Sequence, residues 1–153
     1  MGAEERLAEL GLELPPVPQP VASYVPVVVA GGLAFVAGQV ASSEGKLLFE
    51  GKLGEALGVE EGMQAARRCA LQAMAALRSA LGSLGRVQRI VKLTVFVASA
   101  PGFAEQHKVA NGASDLFGEV FGELGRHARS AVGVAELPLG APVEVEAIAE
   151  VAG

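Results

Sequence analysis

The strand-like alternation of residues 143–151 constrains the fold of this chain more than any other feature. In this segment, VEVEAIAEV, the odd-numbered positions carry Val or Ala and the even-numbered positions carry Glu, except for Ile148. A period of two is typical of a half-buried β-strand that turns its apolar side chains to a core. The segment therefore predicts a strand with one dry face and one face that carries carboxylates.

A second strand is predicted just before it, over residues 128–134, ARSAVGV. The connection 137–142, LPLGAP, carries two prolines and a glycine, and this indicates a loop rather than a continuing element. Two strands joined in this way can lie side by side, so we expect Arg129 and Glu144 to reach one pocket. Arginine is a flat, two-pronged donor to carboxylates, and a glutamate beside it can position or activate a water molecule.

Two long helices are predicted between the strands. The first covers residues 60–84 and ends at Gly82 or Gly85. Its apolar stripe has a spacing of three or four residues and consists of Met63, Ala66, Ala70, Met74, Leu77, Leu81 and Leu84. The second helix covers residues 109–121. The single cysteine, Cys69, lies near the middle of the first helix, where a buried structural thiol is a better interpretation than a nucleophile.

The remaining segments complete an α+β pattern. A short helix is predicted from Ala3 to Leu10, followed by an extended Pro-rich strap over 14–20. Gly31 and Gly32 separate two strands, 25–29 and 33–40, as in a β-hairpin. A polar turn at 42–46, a short edge strand at 47–50 and a central strand at 90–97 follow. This order predicts a single domain over 1–153, with 1–20 as its N-terminal helix and strap, in which two helices pack on one face of a mixed sheet.

The composition limits the possible functions. The chain has 153 residues, of which 51% are hydrophobic and 19% are charged, with a net charge of −5. No apolar run has the ~20 residues that a membrane span needs, and one cysteine fits a reducing compartment, so we predict a cytoplasmic protein. There is no basic stripe, no Trp and a single Tyr, which disfavours nucleic acid as a partner. His107 and His127 have no further ligand at metal-binding spacing, so no metal site is predicted.

Several segments together resemble the YjgF/RidA (L-PSP) family. Arg129-Ser130, Leu137-Pro138 and the strand 144–149 are similar to its C-terminal signature. The upstream matches are Tyr24-Val25-Pro26, Ala37-Gly38-Gln39, the strand 92–97, and Asn111 with Phe117. The resemblance covers residues 20–151 in the right order. It implies the chorismate mutase-like (YjgF) fold and a homotrimer around a sheet-lined core, with a pocket between each pair of neighbours. An apolar sheet face without helices must in any case meet another chain.

The resemblance also implies roles for individual residues. Arg129 matches the arginine that grips a substrate carboxylate, and Glu144 matches the acidic residue associated with the reacting water. The implied substrate-binding residues are Tyr24, Gly38, Gln39, Asn111, Ser130 and Ala131. The residues alone leave plainer alternatives open. Arg129 can be a surface arginine paired with a strand glutamate, Glu144 a solvated strand position, Tyr24 a half-buried aromatic, and Asn111 a polar residue near a helix start.

The function implied by the resemblance is hydrolysis of reactive 2-imino or enamine acids to 2-keto acids and ammonia, without metal or organic cofactor. The alternatives are a non-catalytic protein that binds a small carboxylated metabolite, and an endoribonuclease acting on single-stranded RNA. Two departures from the deaminase branch reshape the expected pocket lining, because Ala131 stands in place of a cysteine and Ala37 in place of a serine. The segment 103–109 is also longer than in compact members of the family. Substrate identity and retention of catalysis stay open.

Overall fold

A computed structural model describes residues 1–17 and 22–153 of the chain. Its strands are β1 (Val27–Ala30), β2 (Leu33–Val40), β3 (Ser42–Ser43), β4 (Lys46–Leu47), β5 (Val87–Ala98), β6 (Ala128–Val134) and β7 (Val143–Val151). Five of them form one sheet in the order β1-β2-β7-β5-β6, and β3 pairs with β4 in a separate two-stranded ribbon. In the large sheet only β5 and β6 are parallel neighbours. The predicted α+β class with a mixed sheet is confirmed.

Three α-helices accompany the sheet: α1 (Ala3–Glu9), α2 (Val59–Leu81) and α3 (Gln106–Phe121). At the start of α2 the Gly58 N–H donates to Glu61 Oε1 at 2.9 Å, which satisfies one of the amide donors that a helix start leaves open. Gly82 ends α2 with φ +89°, a left-handed conformation that favours glycine. None of the helices in the described parts of the chain is long and apolar enough to cross a membrane.

All three helices contribute to one core, on the face of the sheet to which the odd-numbered residues of β7 point. Helices α2 and α3 approach closely at Gly112, where an added Cβ would collide with the backbone of Met63. Cys69 is fully buried in this core, and its thiol donates to the Val143 carbonyl at 3.8 Å. Burial and the nearby Glu144 carboxylate raise the pKa of the thiol, which opposes formation of the nucleophilic thiolate. The structural interpretation of Cys69 is confirmed.

The opposite face of the sheet, which we call the outer face, is apolar and partly open to solvent. Phe35 of β2 lies between its cross-strand partners Val28 and Ile148. Phe35 is 40% exposed and Val28 is 51% exposed. On β6, Val132 is 42% exposed on the same face. No helix of the described residues packs on this face, so the prediction of an uncovered apolar face is confirmed for residues 1–17 and 22–153.

Three predictions about the chain need correction or restriction. The strands β6 and β7 are not neighbours, because β5 lies between them as the parallel partner of β6 and the antiparallel partner of β7. The edge strand predicted over 47–50 is wrong, since pairing is limited to the β3–β4 ribbon around a tight turn at Glu44 and Gly45, both with positive φ. Of the predicted Pro-rich strap, residues 18–20 lie outside the described residues.

Helix α3 starts three residues earlier than predicted, so the long segment 103–109 is partly helical. Gln106 donates through Nε2 to the Phe103 carbonyl at 2.9 Å, and Lys108 Nζ lies 2.7 Å from Glu105 Oε1. Both contacts join the added first turn of the helix to the residues just before it. The extension is relevant to the site, because the backbone carbonyl of His107 lies within it.

Candidate functional site

Arg129 lies at the start of β6, the edge strand of the sheet, and its side chain lies against α3. Its Nη1 donates to Asn111 Oδ1 at 2.8 Å and to Ser114 Oγ at 3.1 Å. Its Nη2 donates to the backbone carbonyl of His107 at 3.2 Å. The three acceptors lie along one side of α3, since residues three or four apart share a helix face. The structure therefore holds a half-buried guanidinium at the sheet edge without a carboxylate partner among the described residues.

His127 continues this hydrogen-bonded group. Its Nε2 lies 2.9 Å from Ser114 Oγ and its Nδ1 lies 2.6 Å from the Gly125 carbonyl. The ring also contacts Phe117 edge-on, with centroids 6.3 Å apart. His127 therefore touches the arginine only through Ser114. The serine beside His127 is Ser114 of α3 and not Ser130 of β6.

Glu144 belongs to a different region, on the outer face of β7. Its cross-strand partners are Val40 of β2 and Phe96 of β5. Partial burial, and secondarily the negative charge of Glu146, raise the pKa of the Glu144 carboxyl. A Cβ added at Gly38 would collide with this carboxylate. The absence of a side chain at Gly38 therefore makes room for the Glu144 carboxylate.

A β-bulge positions Gly38. The pairing of β2 with β7 shifts between Val36 and Gln39, so that two residues of β2 face one of β7. Gln39 Nε2 donates to the Ala37 carbonyl at 3.1 Å, and Gln72 of α2 donates to the Val40 carbonyl at 2.9 Å. Gln39 is buried and lies on the helix side, within 3.3 Å of Gln72. In this chain Gln39 thus supports the bulge, with its side chain away from the outer face.

The remaining predicted site residues do not all lie in these two regions. Ala131 lies two residues after Arg129 on the helix side and packs against the core. Ser130 is exposed on the opposite face. Tyr24 precedes β1, at the other edge of the sheet from β6, and is 54% exposed. The predicted residues therefore form an arginine region, which consists of Arg129 and Asn111 with Ala131 on the same face, and a glutamate region, which consists of Glu144 and Gly38, while Tyr24 lies apart from both.

The two regions do not meet within one chain. Arg129 pairs with Leu93 of β5, a buried residue on the helix side, whereas Glu144 pairs with Phe96 on the outer face. Neighbouring residues in register share a face of the sheet, so Arg129 and Glu144 lie on opposite faces and two strands apart. The expectation that adjacent closing strands place both residues in one pocket is therefore wrong for a single chain.

A surface cleft of about 250 Å³ lies elsewhere, beside the Lys52–Glu136 ion pair and Leu137, and neither Arg129 nor Glu144 lines it. The described residues also contain no group of three or more His, Cys, Asp and Glu side chains that could bind a metal ion. The prediction of a reaction without metal or cofactor is not tested by this observation and stays a prediction.

The sequence analysis missed Ser114. Its position three residues after Asn111 places both on one side of α3, and the helical spacing was the signal that could have identified it. The link from His127 to Arg129 runs through Ser114 and depends on how α3 packs against β6. Only the folded chain brings these three side chains together.

The fold and the two polar regions define a chorismate mutase-like α+β protein, and comparison with known proteins agrees. Residues 4–151 match the family described as "YjgF/chorismate_mutase-like, putative endoribonuclease". The chain belongs to this family, as its sequence motifs predicted.

Relatives support this assignment over nearly the full length of the chain. The protein TCP17 of Trypanosoma cruzi is 52% identical over 145 residues, which cover 94% of this chain and 91% of TCP17. The crystal structure of Atu1372 from Agrobacterium tumefaciens superimposes with a TM-score of 0.88 at 45% identity, and the match covers 97% of this chain and 91% of that one.

A more distant structure contains a ligand. TdcF of E. coli, solved with bound serine, is 27% identical with a TM-score of 0.64, and the match covers 90% of this chain and 94% of TdcF. Its ligand is a small molecule with a carboxylate. A family member of this fold thus binds such a metabolite.

Proposed function

We propose that this protein hydrolyses reactive 2-imino or enamine acids to 2-keto acids and ammonia, in a pocket shared by two subunits of a homotrimer. The observation that carries the proposal is the anchored guanidinium of Arg129. It has three acceptors on α3, no carboxylate partner among the described residues, and N–H donors left for a ligand. A fixed guanidinium fork of this kind is suited to grip an organic acid.

The reaction needs little more than orientation and one group that handles protons. Water adds to the C=N carbon of the substrate, both protons of the water pass to the nitrogen, and the C–N bond then breaks to release the 2-keto acid and ammonia, which takes up a further proton from solvent to become ammonium. Glu144 would accept a proton from the attacking water. Its raised pKa brings the carboxyl closer to neutral pH, where proton transfer is most effective. The substrate already hydrolyses in water, so positioning can supply much of the acceleration.

Two subunits are needed because Arg129 and Glu144 lie on opposite faces of the sheet. Arg129 stands at the β6 edge, and the outer face with Glu144 is apolar and open. If the β6 edge of one subunit meets the outer face of the next, Arg129 can approach Glu144 of the partner subunit. A closed ring of such head-to-tail contacts is consistent with the trimer that the family resemblance implies.

The direct test uses 2-iminobutanoate generated from 2-aminobutanoate with an amino-acid oxidase. The purified protein should accelerate loss of the imine and release of ammonium, and Arg129→Ala should remove the acceleration. Arg126→Ala is the matched control, since Arg126 is exposed and its ion pair with Glu123, three residues earlier, is exposed as well. No acceleration by the wild type, or equal acceleration by Arg129→Ala, would rule out the proposal.

Mixing two inactive variants tests whether the site is shared. Arg129→Ala and Glu144→Ala subunits, unfolded together and refolded at equal ratio, should regain about a quarter of wild-type activity, because about one pocket in four then receives both native residues. Each variant refolded alone should stay inactive. A mixture without activity, from refolded trimers, would place both residues in the same chain's pocket or outside the reaction.

The second candidate is a non-catalytic protein that binds a carboxylated metabolite at the same place. The serine bound to TdcF and the absence of a thiol at Ala131 favour it. Thermal shift against a panel of keto acids and amino acids separates the two, because stabilisation without imine turnover identifies a binder. The endoribonuclease activity in the family's description is the third outcome to measure. The net charge of −5 opposes binding to RNA phosphates.

A further inference from the structure

The guanidinium of Arg129 is occupied on one side only. Arginine has five N–H donors. Both Nη1 protons have acceptors, Asn111 Oδ1 and Ser114 Oγ, and one Nη2 proton has the His107 carbonyl. Among the described residues nothing accepts from Nε. The donors left over are the Nε–H and one Nη2–H, and these two nitrogens border the edge of the guanidinium that a carboxylate can bind side-on.

His127 determines how Ser114 meets this arginine. A carbonyl can only accept, so the 2.6 Å contact with the Gly125 carbonyl assigns a proton to His127 Nδ1. In the neutral ring, Nε2 then accepts, and the Ser114 hydroxyl 2.9 Å away donates to it. This leaves the lone pairs of Ser114 Oγ for Arg129 Nη1. The order of donation therefore runs from Arg129 to Ser114, to His127 and to the Gly125 carbonyl.

We propose that Ser114 and His127 are positioning residues that fix the Nη1 side of Arg129, so that the substrate carboxylate binds side-on through Nε and Nη2. This inference rests on the function proposed above. Neither residue needs to touch the substrate. Their role is to hold the fork before the ligand arrives, so that less side-chain freedom is lost on binding. Asn111 contributes the second acceptor on the same side and acts through the arginine in the same way.

A double-mutant cycle on carboxylate binding tests the proposal, with 2-oxobutanoate as the probe and titration calorimetry as the measurement. Ser114→Ala should weaken binding about tenfold, the usual effect of losing one hydrogen bond to a charged group. In the Arg129→Ala background the same change should have no further effect, because its role acts through the arginine. Equal losses in both backgrounds would show a general structural effect and overturn the proposal.

Two variants complete this experiment. Ser114→Thr keeps the hydroxyl and should retain most of the affinity, whereas His127→Asn leaves Ser114 in place and should weaken binding several-fold. Ser79→Ala is the matched control, since it makes the same replacement at an exposed position of α2. In turnover the effect of Ser114→Ala should be on KM, with kcat within about twofold, because the group that handles the proton is unchanged.

A measurement on the free protein separates this inference from the proposed function. Arginine side-chain ¹⁵N NMR should show slow rotation of the Nη1 group of Arg129 in the wild type and faster rotation in Ser114→Ala and His127→Asn. Free rotation in the wild type would overturn the positioning role whatever the ligand. A held arginine that binds no carboxylate would instead overturn the proposed function and the side-on assignment, while Ser114 and His127 would still be shown to fix the guanidinium.

Discussion

The two faces of the large sheet differ in burial, although the same strands contribute side chains to both. On the helix side, small and β-branched residues of β2 and β7 are buried against α2, as at Ala34 and Ala149. On the outer face, the alternate positions of these strands carry Phe35, Ile148, Glu144 and Glu146, which stay partly or fully open. One strand such as β7 therefore contributes to the core with its odd residues and to a solvent-facing surface with its even residues.

Because of this difference, we expect the helix side to determine stability and the outer face to carry assembly and chemistry. The helix side is closely packed, and at Gly112 even one added carbon would meet fixed backbone. The outer face has room to vary, and it combines the apolar surface that we expect to assemble with the glutamate that we expect to act. Arg129 is the exception, since it lies on the helix side but at the sheet edge, where α3 leaves part of its guanidinium accessible.

The largest effect on stability should come from adding a methyl group at the close contact between α2 and α3. Gly112→Ala places a Cβ onto the Met63 backbone, which cannot rotate away. We expect the free energy of unfolding to fall by about 3 kcal/mol, the upper part of the range for overpacking, as measured by urea denaturation. Gly118→Ala, on the same helix with open space around it, should instead gain about 0.5–1 kcal/mol. Similar losses for both would show that the close contact is unimportant.

The next largest effect, on subunit assembly, should come from placing a charged side chain on the outer face. Phe35→Glu places a carboxylate between the apolar neighbours Val28 and Ile148. If this face is a subunit contact, the change should weaken each contact by about 2–3 kcal/mol, because an unpaired charge would be buried. Light scattering should then detect monomers with little change in the helix signal. Leu10→Glu, an equally drastic change at an exposed residue after α1, should leave the assembly intact, and an unchanged assembly in Phe35→Glu would exclude this face.

The sequence predicted which residues of β7 face the core and which face outward, but it did not predict the order of the strands in the sheet. The alternation in 143–151 predicted the observed bounds of β7 and correctly placed Glu144 on the face away from the core. Strand order was not predictable in the same way, because a short Pro-rich loop can join neighbours or cross one strand. The almost wholly apolar run at 90–97 indicated a central strand, but not that it inserts between β6 and β7. The Ser114–His127 link also depends on tertiary packing, which periodicity does not encode.

A methyl group at Gly38 should affect chemistry far more than folding. The atoms it would meet belong to the end of the Glu144 side chain, which can rotate away, unlike the backbone beside Gly112. We expect Gly38→Ala to change the free energy of unfolding by less than about 1 kcal/mol and to lower imine turnover about tenfold, with carboxylate binding retained. Gly118→Ala again serves as the control for an added methyl group. Loss of binding together with turnover would mean that the whole pocket had changed.

The smallest effect should be a gain in stability on neutralising Glu144. Because burial and Glu146 raise the pKa of this carboxyl, the folded chain favours its protonated form. At a pH well below the ordinary glutamate pKa of about 4.3, the carboxyl is protonated in folded and unfolded chains alike, so Glu144→Gln and the wild type should be equally stable. As the pH rises through the raised pKa, the wild type must ionise a half-buried group and loses stability relative to the variant.

At pH 7 the expected advantage of Glu144→Gln is about 0.2–1 kcal/mol, the size of a partly exposed charge interaction, measured from urea midpoints at both pH values. Glu150→Gln, on the same face but exposed, controls for the general loss of a negative charge. A variant that is more stable and inactive would show that the outer face keeps a costly carboxylate for its chemistry. A variant that is less stable at pH 7 would show that the carboxylate supports the fold, and the division between the two faces would then fail at this residue.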